Sequence, residues 1–223
     1  MLDLLKKTVL FIFYFIVYQV AIGLLMSPYF MNQSQGNAAN HVIGASWYSA
    51  ILGFGVLVGL GLYLWKLLGS PQRLQMDLGH AWYSKTYWPI LAYIVLFFLQ
   101  LAFPITNSGN QSAILDMLDL FPIQTFFLVV VFAGVIEELL FRGILATYFF
   151  SEQRGALSIS LYGFMTGTLF SLIHGPENGI IFLMYFTHGI ILSWLYLIKK
   201  NIRYPIALHT FNNALVYFLM LFS

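Results

Sequence analysis

FPIQTFFLVVVFAGVIEELLFRGILATYFF, residues 121–150, would suit a lipid bilayer throughout but for three positions, Glu137, Glu138 and Arg142. An acid or an arginine at the centre of a membrane helix costs ~2.5–3.5 kcal/mol on insertion scales. Three such groups in one segment are tolerable only if they pair, face protein instead of lipid, or take part in chemistry. Downstream, His174 and His209 also lie in or at the ends of apolar stretches. Buried acids together with buried histidines mark a functional site in a helical membrane protein.

Composition sets the class. Of 223 residues, 60% are hydrophobic and 8% charged, and the mean hydropathy is +0.83; a soluble domain carries roughly 25% charge. These values predict an all-α, polytopic membrane helix bundle in a single integral-membrane domain. The lipid bilayer is its first partner. A net charge of +2, with no basic cluster among interleaved aromatics, gives no footing for nucleic acid. Without cysteine there are no disulfides, thiolate nucleophiles or cysteine-ligated zinc. Lys6 and Lys7 precede the apolar run 8–26, which is long for a signal peptide and lacks a small-residue cleavage site, so it reads as a retained first span.

Hydropathy and turn signals predict seven spans, at 8–26, 42–65, 87–103, 121–150, 156–174, 180–198 and 204–222. The polar stretch 32–41 reads as a loop, and Gly53, Gly55, Gly59 and Gly61 give the second span small-residue spacing suited to close helix packing. Seven alternating crossings place Lys6, Lys7, Lys66, Arg73, Lys85, Arg142, Arg154, Lys199, Lys200 and Arg203 on one side. The positive-inside rule then sets the N-terminus in the cytoplasm and the C-terminus outside, in a multi-pass protein of the cell membrane.

Glu138 and Arg142 stand i, i+4 on a helix and can pair. Glu137 is rotated about 100° from Glu138 in an α-helix and is left for acid–base work. Phe170 with His174 and His209 with Asn213 repeat the i, i+4 spacing. A hairpin turning near Gln153 sets Glu137 and His174 at similar depth, whereas His209 lies close to its own helix start, so its register needs tilt or an inward-dipping turn. Each residue also has a structural reading. A Glu–Arg pair is often a packing lock, and a membrane histidine often bonds a neighbouring helix; His188 is read that way, Asn212 as interhelical glue, and His41 and His80 as loop residues. The residues alone leave a proton- or ion-coupled transporter open, as well as a non-catalytic binding protein.

In series, Glu137-Glu138-Leu-Leu-Phe-Arg142, Phe170-Ser-Leu-Ile-His174 and His209-Thr-Phe-Asn-Asn213 resemble the three motifs of the CAAX-protease and bacteriocin-processing (CPBP, or Abi) family of intramembrane endopeptidases. The resemblance covers about residues 121–215. It divides the chain into 1–120, transmembrane helices without catalytic motifs, and 121–223, the catalytic helical core. It implies hydrolysis of a peptide bond in a membrane-associated peptide or protein, with Glu137 as general base on a water. His174, His209 and Asn213 complete the catalytic set, with Glu138, Arg142 and Phe170 in support. Two histidines and a carboxylate also match a three-ligand zinc site, with His174 and His209 as metal ligands; a metal-free glutamic mechanism is slightly preferred. Short members of this family resemble proteins encoded beside peptide bacteriocins, which implies a role in bacteriocin processing or self-immunity.

Overall fold

The computed structural model describes residues 2–35, 40–69, 76, 78–79, 82–102, 109–150 and 155–222. Among them every regular element is helical. In chain order these are α1 (Leu2–Leu25), α2 (Ser27–Gln35), α3 (Asn40–Leu68), a 3₁₀ turn (Trp82–Ser84), α4 (Tyr87–Ala102), α5 (Gly109–Leu120), the long helix α6 (122–149), α7 (Ala156–Ile173), α8 (Gly179–Lys199) and α9 (Arg203–Leu221). Arg73, His80 and Arg154, and the side chain of His41, lie outside the described residues.

Helix α1 shows how the bilayer inverts the usual burial rule. Tyr14, Tyr18, Ala21 and Leu25, spaced by about one turn, are buried, whereas Val9, Phe13, Ile16 and Val20 on the other face are each more than half exposed. Hydroxyls face protein and hydrocarbons face outward, the pattern expected where lipid is the solvent. Four helices are long and apolar enough to cross a membrane: Leu2–Leu25, Ser46–Leu68, Ala156–Ile173 and Gly179–Lys199. They correspond to the first, second, fifth and sixth expected spans, and the chain is a multi-pass membrane protein. The remaining three expected spans coincide with α4, α6 and α9.

Two stretches differ from the sequence expectation. Most of the polar stretch 32–41 is helical, because α2 runs to Gln35 and α3 starts at Asn40. Gln33 Nε2 donates to the Tyr29 hydroxyl one turn back at 2.6 Å, so the polar side chain is satisfied within the helix. The α5 helix, which the span pattern did not mark, occupies 109–120, and the Gly109 N–H at its start donates to Glu177 Oε1 at 2.6 Å. A carboxylate there meets the positive end of the helix dipole.

The charged helix is the central one. Pro122 opens α6 in its first turn, where a missing N–H costs nothing. The helix then winds with i→i+5 hydrogen bonds through Phe126–Glu137 and Leu139–Ile144 before tightening again at Leu145–Phe149. Such π-type winding is rare and occurs at functional sites. Residues 136–146 are buried without a break, so the segment has no lipid-facing side. One core joins Tyr18 and Ala21 of α1, Leu57 and Leu64 of α3, Ile136 and Leu140 of α6 and Phe170 of α7. The N-terminal helices and the motif-bearing segment therefore share their packing.

Glycines set the closest approaches. A Cβ on Gly189 of α8 would fall 2.8 Å from Gly167 Cα of α7. Beside this crossing Thr166 Oγ1 and Ser193 Oγ hydrogen-bond at 2.6 Å. Of Gly53, Gly55, Gly59 and Gly61 in α3, only Gly53 is pressed against a neighbouring backbone, that of Ala21–Leu25 in α1; Gly55 and Gly59 have nothing within 4 Å. We expect Gly53→Ala to lower the thermal midpoint in detergent, with an over-packing cost of about 1–3 kcal/mol. Gly55→Ala, the same change two residues on, leaves it unchanged or slightly raised.

Candidate active site

Glu138 and Arg142 are fully buried on α6, with Arg142 Nη1 donating to Glu138 Oε1 at 2.9 Å. The same oxygen accepts from His209 Nδ1 of α9 at 2.8 Å. Arg142 Nη2 reaches the Gly189 carbonyl of α8 at 3.1 Å, and its guanidinium lies 4.7 Å above the Phe170 ring. Tyr162 of α7 donates to the Arg142 carbonyl at 3.3 Å. One ion pair thus ties four helices, α6 to α9. The α-helical spacing foresees the first contact but not the histidine or the Gly189 carbonyl. His209 attains this depth because the α8–α9 turn is drawn onto the bundle. Lys200 adopts a left-handed conformation (φ 52°), its Nζ bonds the Met76 carbonyl, and Ile202 packs against both main core clusters.

Glu137 has different company. Its Oε1 accepts from the Tyr18 hydroxyl of α1 at 3.0 Å, while Oε2 is buried without a hydrogen-bond partner in the protein. Tyr18 carries no motif; its sequence signal is a hydroxyl one turn from Tyr14 and next to Gln19 in a largely apolar run.

The Gly175 backbone (φ 58°) ends α7, and Pro176 follows. His174 therefore sits just past the last turn, and its Nδ1 donates back to the Phe170 carbonyl at 2.7 Å, filling a position the helix leaves open. Because carbonyl and carboxylate oxygens only accept, His174 and His209 both carry hydrogen on Nδ1, and each has Nε2 as its second nitrogen. The His174 ring is held between Phe170 at 4.6 Å and a stacked Tyr185 at 4.2 Å. Asn213 Nδ2 donates to the Val129 carbonyl at 2.8 Å and its Oδ1 accepts from Asn212 at 3.1 Å.

These side chains meet at a cavity of about 580 Å³ whose lining includes Tyr18, Glu137, Phe170, His174, His188, His209 and Asn213. It extends to Gln100 and Leu101 at the end of α4, Gln111 at the start of α5, and Leu219 and Met220 at the end of α9. Glu138 and Arg142 stand behind this wall. Among the described residues no three His, Asp or Glu side chains come together as a metal-binding set.

The buried pair makes a direct stability test. Glu138 Oε2 and Arg142 Nε have no hydrogen-bond partner among the described residues, and removing one charge leaves the other buried without its ion-pair partner. Breaking a buried pair from one side costs about 3–5 kcal/mol. Arg142→Ala should sharply lower folded yield and thermal midpoint, and adding Glu138→Gln should restore part of the loss. Size-exclusion profiles and melts of the purified variants measure both.

Comparison with known proteins agrees with the motif reading. Residues 119–215 match a family model described as type II CAAX prenyl endopeptidase Rce1-like. No curated protein and no solved structure matches the chain. The matched segment holds α6 to α8 and α9 as far as residue 215, including Glu137, Glu138, Arg142, His174, His188, His209 and Asn213, whereas Tyr18 lies outside it. Over this segment, which is under half of the chain, the protein is similar to the type II CAAX prenyl endopeptidase Rce1-like family.

Proposed function

We propose that this protein is an intramembrane endopeptidase that hydrolyses a peptide bond with a water activated by Glu137. The observation that carries the reading is the asymmetry of the Glu137 carboxylate. One oxygen is fixed by Tyr18 and the other has no protein partner, on the wall of a cavity that His174, His209 and Asn213 also line.

The reaction needs few parts. Glu137 Oε2 takes a proton from water, and the resulting hydroxide attacks the carbonyl carbon of the scissile bond. The carbonyl π electrons move to oxygen, and that oxyanion needs donors already in place. Asn213 Nδ2 keeps one N–H beyond the one given to Val129, and the imidazole edges of His174 and His209 supply the remaining polar surface. When the carbon–nitrogen bond breaks, the proton held on Glu137 passes to the leaving amine, and the carboxylate is regenerated. Glu138 and Arg142 act through His209, fixing its ring from behind.

Seven spans with the N-terminus in the cytoplasm and the C-terminus outside belong to the same proposal. Arg203 lies over Trp65, the neighbour of Lys66, and Phe11, near Lys6 and Lys7, packs on Phe149. The basic ends of α1, α3 and α9 therefore gather at one end of the bundle, as the positive-inside rule requires. A small membrane-associated peptide is the proposed substrate class, with bacteriocin processing or self-immunity in a bacterial membrane as the biological setting. A transporter would instead move ions; proteoliposomes containing a labelled peptide separate the two by new peptide termini against flux.

Glu137→Gln keeps shape and the Tyr18 contact but removes the base. We expect peptidase activity to fall by about 10²–10⁴-fold with an unchanged melting profile, since that is the usual share of general-base catalysis. Substantial residual cleavage would reassign the base.

We favour a metal-free reaction. Full activity should persist after exhaustive chelation, and elemental analysis should find no stoichiometric zinc. A zinc enzyme would lose activity with its metal and regain it on zinc addition.

A further inference from the structure

His188 of α8 stands apart from the three motifs, and its surroundings do not explain it. It is 95% buried, with only 5% of its surface exposed, and its Nε2 has no hydrogen-bond partner. A histidine bonded to a neighbouring helix would be ordinary structure. Here the ring has aromatic neighbours instead: it stacks on Phe170 (5.6 Å, 23°), meets Tyr93 of α4 edge-on at 5.2 Å and lies 5.9 Å from His209. The Tyr93 hydroxyl is likewise buried without a partner. An unbonded polar atom in such a place is destabilising, whereas a leucine or phenylalanine would bury no polar atom there. The side chain also lines the cavity that Glu137, His174 and His209 face. A buried polar group with no protein partner, on the wall of a substrate-sized cavity, is suited to a bond made when that cavity is filled.

We propose that His188 is a substrate-contacting residue of this site, its imidazole hydrogen-bonding a main-chain group of the bound peptide beside the scissile bond. This rests on the endopeptidase reading and extends it. Phe170 is the shared platform: its ring contacts His174, His188, His209 and the Arg142 guanidinium, so the third imidazole is aligned with the machinery while standing on a different helix from it. His188 holds the peptide and Glu137 cleaves it.

The test uses the full-length protein in phosphatidylcholine–phosphatidylglycerol vesicles. The probe is a neutral, internally quenched peptide rich in leucine and alanine. His188→Leu should raise KM about tenfold, the effect of one lost hydrogen bond, with kcat changed by less than about twofold. His188→Gln, which retains a donor and an acceptor, should recover most of the affinity. An unchanged KM in His188→Leu, or a KM that rises equally in His188→Gln, would overturn the proposal. Anisotropy binding of the unquenched peptide to Glu137→Gln, with and without His188→Leu, reads His188 without catalysis. Weaker binding in the double variant supports the contact even if wild type leaves this peptide uncut, and equal binding refutes it even if wild type cuts it.

Discussion

The bifurcated carboxylate of Glu138 is the constraint from which the arrangement of the C-terminal helices follows. A guanidinium cannot be neutralised in a protein, so Arg142 has to be paired and surrounded wherever it is buried. Its partners are a carboxylate on its own helix, a carbonyl on α8 and a ring on α7, while His209 of α9 shares the carboxylate oxygen. A slip of α8 or α9 along α6 would leave at least one of these groups unpaired in hydrocarbon surroundings. The pair adds little net stability when intact; its contribution is to make one helix register far better than its neighbours.

Small residues make that register reachable. Arg142 bonds the Gly189 carbonyl because α8 presses close to α7 at Gly167, where either added methyl would strike backbone or ring atoms. Gly134 of α6 meets Thr210 in the same way, bringing His209 against Glu138 on the adjoining turn. In a membrane, where burial of apolar surface between helices yields little, close backbone contact and interhelical polar bonds carry the association. Both act on the same pairs of helices here, so packing and electrostatics specify the same positions.

The sequence made some of this legible and hid the rest for identifiable reasons. Glu138–Arg142 and Phe170–His174 are visible because each pair lies on one helix, and i, i+4 spacing survives the change from α to π winding. The His209–Glu138 and Arg142–Gly189 contacts join helices, and local periodicity carries no information about which helices touch. Tyr18 was hidden for a further reason: a tyrosine in a membrane run is compatible with a lipid interface, and only the fold reveals that its face is turned inward. His188 read as ordinary interhelical glue, but the expected partner is missing. The small-residue pattern in α3 overstated the case, since of its glycines only Gly53 is pressed against another backbone.

Two adjacent glutamates with the same chemistry come to differ through their neighbours alone. Glu138 is enclosed by a cation and an imidazole, and its contacts hold helices together. Glu137, turned towards α1, meets a single hydroxyl, its second oxygen has no hydrogen-bond partner among the described residues, and the residue lines the cavity. In the proposed reaction the two carboxylates divide the work: Glu138 holds the helices in register, and Glu137 acts on water. The N-terminal helices enter through this same division. Without α1 the first glutamate would lose its only positioned donor, although α1 carries none of the motif residues. The helices that look like mere membrane anchor are thus part of what orients the Glu137 carboxylate.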